Sequence, residues 1–187
     1  MNNSRSRHLH PVENAGVLEG RIRRLLHDPQ KIVGKYIQSG MTVLDLGCGT
    51  GYFTTEIAKL LDDSGKVIAA DVQEGMLDIL KQKLKGSELQ HKIQIHKSRE
   101  NDLGLNVKVD FALAFYAFHE MRYIDNVITE LKDILKPTAK ILIAEQKFHV
   151  PKQDFNAIIQ RMEDSGFSIC ENPKILLSRA VLMQLKA

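Results

Sequence analysis

The 187-residue chain has no tryptophan, five prolines and only two cysteines. Cys48 and Cys170 cannot build a disulfide framework, and no Cys/His pair has zinc-finger spacing. A reduced, cytoplasmic protein is the expectation. Long apolar runs are also missing. The longest, Phe111 to Phe118, is far too short to span a bilayer. Met1 to His10 is polar and basic with no apolar stretch behind it, so neither a secretory signal nor a membrane partner is expected. Internal repeats and low-complexity tracts are absent. A large charge of one sign is absent too: the net charge is +3, too small to imply a nucleic-acid partner. The imbalance is local, since residues 1–40 hold seven Lys/Arg against three Asp/Glu. It lies around Arg5, Arg7, Arg21, Arg23 and Arg24, with His8, His10 and His27 nearby. Such a run is either a solvated helix face or the approach side for an anionic substrate.

What is present is a globular composition, 43% hydrophobic and 26% charged, in a chain of single-domain length. Leu18, Ile22, Leu25 and Leu26 recur at helical spacing. Asp28-Pro29 reads as a helix start, with Ile32, Val33, Tyr36 and Ile37 inward and Gly40 as the stop. From there strands and helices alternate. Strands are expected at Met41–Leu46, Val67–Ala70, Ile93–His96, Val109–Ala114 and Ile141–Ala144, with two more between Phe167 and Leu185. Helices are expected around Phe53–Leu61, Met76–Leu84 and Ile124–Leu135, the last stopped by Pro137. One more begins at Pro151 and is capped near Gly166. This alternation demands an α/β fold with a doubly wound, mostly parallel sheet. Ligands in such sheets bind beyond the carboxyl ends of the strands, at the switch point.

The most informative segment is Val43-Leu44-Asp45-Leu46-Gly47-Cys48-Gly49-Thr50-Gly51. Its glycines permit a sharp turn and close backbone approach, between an apolar strand and an amphipathic helix. Asp71 lies 20 residues after Gly51, at the tip of the next strand, where a carboxylate can accept the hydroxyls of a ribose. Its other reading is an N-cap for the helix that follows. The glycine spacing separates cofactors. A pyrophosphate loop wants a third glycine where this chain has the bulky Tyr52, so a nicotinamide oxidoreductase is disfavoured. An acid at Asp45 suits a cationic, ammonium-bearing ligand.

These motifs resemble those of class I S-adenosylmethionine-dependent methyltransferases, over nearly the whole chain. Val43–Thr54 is similar to their first motif, and Asp71–Leu77 to the segment after their second strand. Asp110–Phe115 resembles their fourth strand, and Leu135–Glu145 their passage into strand five. The resemblance implies a Rossmann-like sheet of seven strands with the last reversed. Residues 1–40 would form an N-terminal helical lid, and residues 41–187 the cofactor-binding domain. It also implies that Asp45, Gly47, Cys48 and Gly49 line the methionine side and that Asp71 holds the ribose. Val72 and Met76 would flank the adenine, and Phe115 would approach the amino group through its carbonyl. The usual adenine-side Asp is Arg99 here, which shifts that role to the backbone of Glu100 or to Asn101.

Methyl transfer needs an aligned acceptor, dry surroundings and, for some acceptors, a base. Tyr116, His119 and Glu120, and after strand five Glu145 and His149, are the candidates. His119 stands first because its ordinary pKa suits proton transfer near neutrality. The alternative is that His119 and Glu120 only shape the loop. No metal is expected, because His8, His10, His119 and His149 with Glu120 and Glu145 would have to converge from separate segments. The segment after strand four, Phe115-Tyr116-Ala117-Phe118, lacks the Asn/Asp-Pro-Pro-Tyr loop of amino-methylating DNA enzymes. A small-molecule acceptor is expected, and Ala114–Met121 resembles small-molecule and quinone-type methyltransferases. A non-catalytic cofactor-binding subunit is the alternative.

Overall fold

The computed structural model describes residues 26–186. Of the expected helical run Leu18–Leu26 only Leu26 is among the described residues; Arg5, Arg7, Arg21, Arg23, Arg24 and the bulk of the N-terminal lid lie outside them.

Helix α1 spans Pro29–Val33, with Asp28 as its N-cap: the Asp28 carboxylate accepts from the Gln30 N–H at 3.1 Å. It is shorter than the sequence suggests. A Cβ added to Gly34 would meet the Gln30 carbonyl at 2.3 Å, and the chain leaves the helix there rather than at Gly40. The apolar face nevertheless does what its spacing implies. Val33 is fully buried, and Ile32, Tyr36 and Ile37 pack on the same core.

Strand and helix then alternate: β1 (Thr42–Leu46), α2 (Tyr52–Leu60), β2 (Lys66–Asp71), α3 (Glu74–Leu84), β3 (Ile93–Lys97), β4 (Val109–Phe115), α4 (Ile124–Ile134), β5 (Leu135–Gln146), α5 (Lys152–Asp164), β6 (Phe167–Glu171) and β7 (Ser178–Leu185). Single 3-10 turns occupy Gln90–Lys92 and Phe118–Glu120. The seven strands lie in the order β3-β2-β1-β4-β5-β7-β6. All neighbours are parallel except those of β7, which runs antiparallel to both β5 and β6. The expected reversed last strand is therefore present, and it sits inside the sheet rather than at its edge.

Pro137 does not end α4. The helix stops at Ile134, and Pro137 falls in the irregular start of β5, where the register with β4 shifts between Val109 and Phe111. Proline costs no ladder bond at such an irregularity.

Alternation along the buried strands sends side chains to two cores. Leu44, Leu46, Ile68, Ala112, Ala114, Ile141 and Ile143 face α4 and α5, which contribute Ile128, Leu131, Phe155 and Met162. Val43, Val67, Phe111, Leu113 and Leu142 face α2 and α3, with Phe53, Ile57, Leu77 and Leu80. Burial on both faces explains why these strands read as near-continuous apolar runs. The chain order reverses between β1 and β4, so the cleft beyond their carboxyl ends is the switch point. Among the described residues, no helix is long and apolar enough to cross a membrane.

Candidate active site

The glycine loop leaves β1 at this switch point. Gly47, Gly49 and Gly51 have φ of +72°, +54° and +83°, a region that side chains disfavour. Two of the three are also packed tightly. A Cβ on Gly47 would lie 2.7 Å from the Ala117 Cβ, and one on Gly51 would lie 2.3 Å from Leu80 Cδ1. Gly49 differs, because an added Cβ there would meet nothing within 4 Å. Its backbone therefore borders open space. The loop is tied to the neighbouring strand: the N–H groups of Gly47 and Cys48 donate to the Ala70 carbonyl at 2.8 and 3.1 Å.

Asp71 closes the other side of the cleft. Its carboxylate accepts from the Gly49 N–H at 2.9 Å and from the Gln73 N–H at 2.8 Å. The N-cap of the helix that follows is Gln73 rather than Asp71. Asp71 holds the first turn after β2 and also faces the glycine loop. Burial pushes the Asp71 carboxyl above its ordinary pKa, against the pull of these backbone donors. Asp45 lies deeper, 3% exposed, and accepts the Thr54 hydroxyl at 2.6 Å from the first turn of α2. The Cys48 thiol is raised well above its usual pKa by burial and then by Asp45 and Asp71. Such a shift disfavours the nucleophilic thiolate.

Val72 is half-buried and its carbonyl accepts from Lys97, while Met76 is buried in the first turn of α3. Glu100 and Asn101 lie exposed in the loop after β3. That loop is held from below by Glu130 of α4, whose carboxylate accepts the N–H groups of Leu103 and Gly104 at 3.0 Å each. Arg99 points outward to Asp102 at 3.5 Å, with its side chain 78% exposed. Glu130 and Thr54 escaped the sequence reading, because each acts across a tertiary contact that spacing does not reveal.

On the acceptor side, the residues after β4 diverge. Tyr116 has φ +64°, a left-handed conformation that its backbone holds by donating to the Ala144 carbonyl at 2.8 Å. Its ring packs with the α2/α3 core. The hydroxyl lies 2.6 Å from Ser178 Oγ and 2.9 Å from His27 Nε2, and His27 Nε2 also lies 3.0 Å from the Leu176 carbonyl. Phe118, fully buried, roots the next turn in the opposite core beside α4 and α5. His119 follows it. The His119 N–H donates to Glu145 Oε1 at 3.2 Å, and its ring Nδ1 lies 2.6 Å from Glu145 Oε2. Glu145, just past the paired ends of β4 and β5, is fully buried. Glu120 Oε1 is 3.8 Å from His119 Nε2, and the His149 ring meets the His119 ring edge-on at 5.0 Å. His119, Glu120, Glu145 and His149 thus gather on one side, while the Tyr116 hydroxyl is engaged on the other. His8 and His10 lie outside the described residues. Among the described residues, no three His, Cys, Asp or Glu side chains could hold a metal ion.

An adenosine-bearing sulfonium fits this cleft. Gly49 leaves a face that any side chain would fill, and Asp71 presents acceptors beside it. Comparison with known proteins gives the same answer. A family profile described as "Methyltransferase domain" matches residues 43–138. The solved structure of an S-adenosylmethionine-dependent methyltransferase from Aquifex aeolicus superposes with a TM-score of 0.85 at 26% identity, covering 95% of this chain and 100% of that one. The demethylmenaquinone methyltransferase of Lactobacillus johnsonii is 32% identical over 78% of this chain and 58% of its own length. The ubiquinone/menaquinone biosynthesis C-methyltransferase UbiE of Shewanella frigidimarina is 28% identical over 62% of this chain and 45% of its own. The chain thus spans about half the length of the curated relatives it matches. On the match from β1 through the irregular start of β5, the chain belongs to the methyltransferase domain family, whose cofactor is S-adenosylmethionine.

Proposed function

We propose that this chain methylates a small ring acceptor of the quinone type, with His119 as the general base. The observation that carries the reading is the glycine loop closing on Asp71, with open space over Gly49. The names of the demethylmenaquinone and UbiE relatives support the acceptor class. In this reading Asp45, Gly47, Cys48 and Gly49 form the wall for the methionine part, and Asp71 takes the ribose hydroxyls. Val72, Met76 and the loop at Glu100 and Asn101 border the adenine, and Phe115 closes the cleft from β4. Bound there, S-adenosylmethionine supplies a methyl on a sulfonium leaving group, which needs alignment and exclusion of water more than acid or base assistance. Residues 1–40 act as a cover over the acceptor, as part of the same domain.

The turn Phe118–Glu120 provides the protein's own chemistry. Ala117 abuts the glycine loop at Gly47, so His119 stands two residues from the cofactor wall. It takes the proton that the acceptor loses. Glu120 lies beside it and Tyr116 fixes the loop from the opposite face.

Titration calorimetry with S-adenosylhomocysteine and NAD, followed by transfer of labelled methyl to a demethylated hydroquinone, tests this. Binding of the first ligand alone, with product formation, is expected. His119→Ala is expected to lower turnover by about 100-fold or more with cofactor affinity unchanged. Binding of NAD in place of S-adenosylhomocysteine, or full turnover by the variant, would overturn the corresponding part.

A further inference from the structure

From the paired contact of His119 with Glu145, we infer that Glu145 is a positioning residue, that it fixes the His119 ring with its basic nitrogen at Nε2, and that the site selects acceptors with a dissociable aromatic hydroxyl. This rests on the proposed role of His119 and adds to it a partner and a substrate class.

Glu145 grips one residue twice. One carboxylate oxygen takes the His119 backbone N–H at 3.2 Å, and the other lies 2.6 Å from ring Nδ1. A carboxylate only accepts, so Nδ1 carries the hydrogen and the lone pair of the neutral ring is on Nε2. The backbone bond fixes the turn, and the ring bond fixes both rotation and tautomer. The sheet sets this up: Phe115 and Ala144 are register partners in β4 and β5, which brings the next residue of β5 against the turn that follows β4. Phe118 anchors that turn in the core.

A fully buried carboxylate is costly, and an imidazole clamped against it is a weak device for stability alone. A carboxylate behind Nδ1 favours the protonated ring and strengthens Nε2 as a base. A free amine or a preformed anion can accept a methyl without such a base. A neutral phenol or hydroquinone cannot do so readily. It must give up its hydroxyl proton as its oxygen or ring carbon becomes the nucleophile. The hydroxyl proton passes to His119 Nε2. The new bond to the methyl carbon forms as the sulfur–methyl bond breaks, and that electron pair stays on sulfur; where the ring carbon attacks, its C–H proton then leaves to solvent and the oxygen is reprotonated, which restores the aromatic ring. Solvent then takes the proton from His119. Among the described residues, the titratable groups around the ring are Glu145, Glu120 and His149.

The test begins with nitrogen NMR of His119 in the free protein, which needs no substrate. Nδ1 is expected to be the protonated nitrogen at neutral pH and Nε2 the one that titrates. A lone pair on Nδ1 overturns the proposal directly. Glu145→Gln removes the charge and leaves one acceptor oxygen where the carboxylate offered two. It is expected to move the His119 titration to lower pH and the acid limb of kcat with it. It is also expected to cut kcat about 100-fold, with affinity for S-adenosylhomocysteine unchanged. An unmoved titration and pH profile in a folded Glu145→Gln protein means a purely structural carboxylate and sinks the idea. A hydroquinone should be methylated and its di-O-methyl ether left untouched; equal use of both overturns the substrate class. Loss of S-adenosylhomocysteine binding by the unmodified protein defeats the underlying functional reading instead, so the two failures are distinct.

Discussion

Asp71 carries two tasks that pull its ionisation in opposite directions. Its burial favours the neutral acid, while the Gly49 and Gln73 N–H groups favour the anion. A carboxyl whose pKa is raised by folding gives stability that is complete at low pH and is lost as the pH rises through the raised value. The ligand-free fold is therefore expected to lose a little stability in that window, and with Asp71 in its proposed role cofactor affinity is expected to gain there, because the anion has acceptors on both oxygens. Calorimetry with S-adenosylhomocysteine from about pH 4 to about pH 8 is expected to show affinity climbing and then levelling off. Asp71→Ala should flatten the curve and weaken binding by about 1–3 kcal/mol at neutral pH. Tyr116 makes the complementary case. Its hydroxyl meets Ser178 and His27, and its backbone is held at φ +64°. Tyr116→Phe should cost about 1–3 kcal/mol in denaturant unfolding while leaving the pH profile of turnover in place. A shifted profile would make Tyr116 a proton carrier after all.

Among the elements, α4 has a reach that its sequence does not advertise. Its Ile128 and Leu131 face the core, while Glu130 holds the loop after β3 through Leu103 and Gly104. Glu130→Ala should lower S-adenosylhomocysteine affinity several-fold and expose the amides of residues 98–104 to hydrogen exchange. Glu130→Gln should restore most of both. The same element shows where sequence reading succeeds and fails. Ile124, Val127, Ile128 and Leu131 announce the helix by period. Its end, by contrast, is set at Ile134 by the turn into β5, before Pro137 acts. The glycine loop was legible because its need for positive φ is written in residue type. The grip of Glu145 on His119 was not, because the two residues are 26 apart and meet only through the register of β4 with β5. Local chemistry can be read along a chain, and cross-strand register cannot.

At the scale of the molecule, the cleft draws on both halves of the sheet. In the proposed site, the loop after β1, the tips of β2 and β4, and Glu145 on β5 act together. Cofactor binding should therefore stabilise the fold as a unit. At 100-fold excess over its dissociation constant, S-adenosylhomocysteine should add about 2.7 kcal/mol to the unfolding free energy, seen as a single shifted transition. Leu142→Ala, removing a fully buried side chain from the α2/α3 core, should cost about 2–5 kcal/mol and leave the tautomer of His119 intact. Two separate transitions with ligand would argue against a common cooperative unit.

The place of β7 has a consequence for how the chain is made. It leaves the ribosome after β6, yet it is the one that joins β6 to the rest of the sheet. Until Ser178–Leu185 has emerged, Lys140–Gln146 of β5 is a bare edge and β6 has no neighbour at all. Bare edges recruit other strands, so nascent chains stalled before Ser178 should be the ones that chaperones hold and that clump when they are not held.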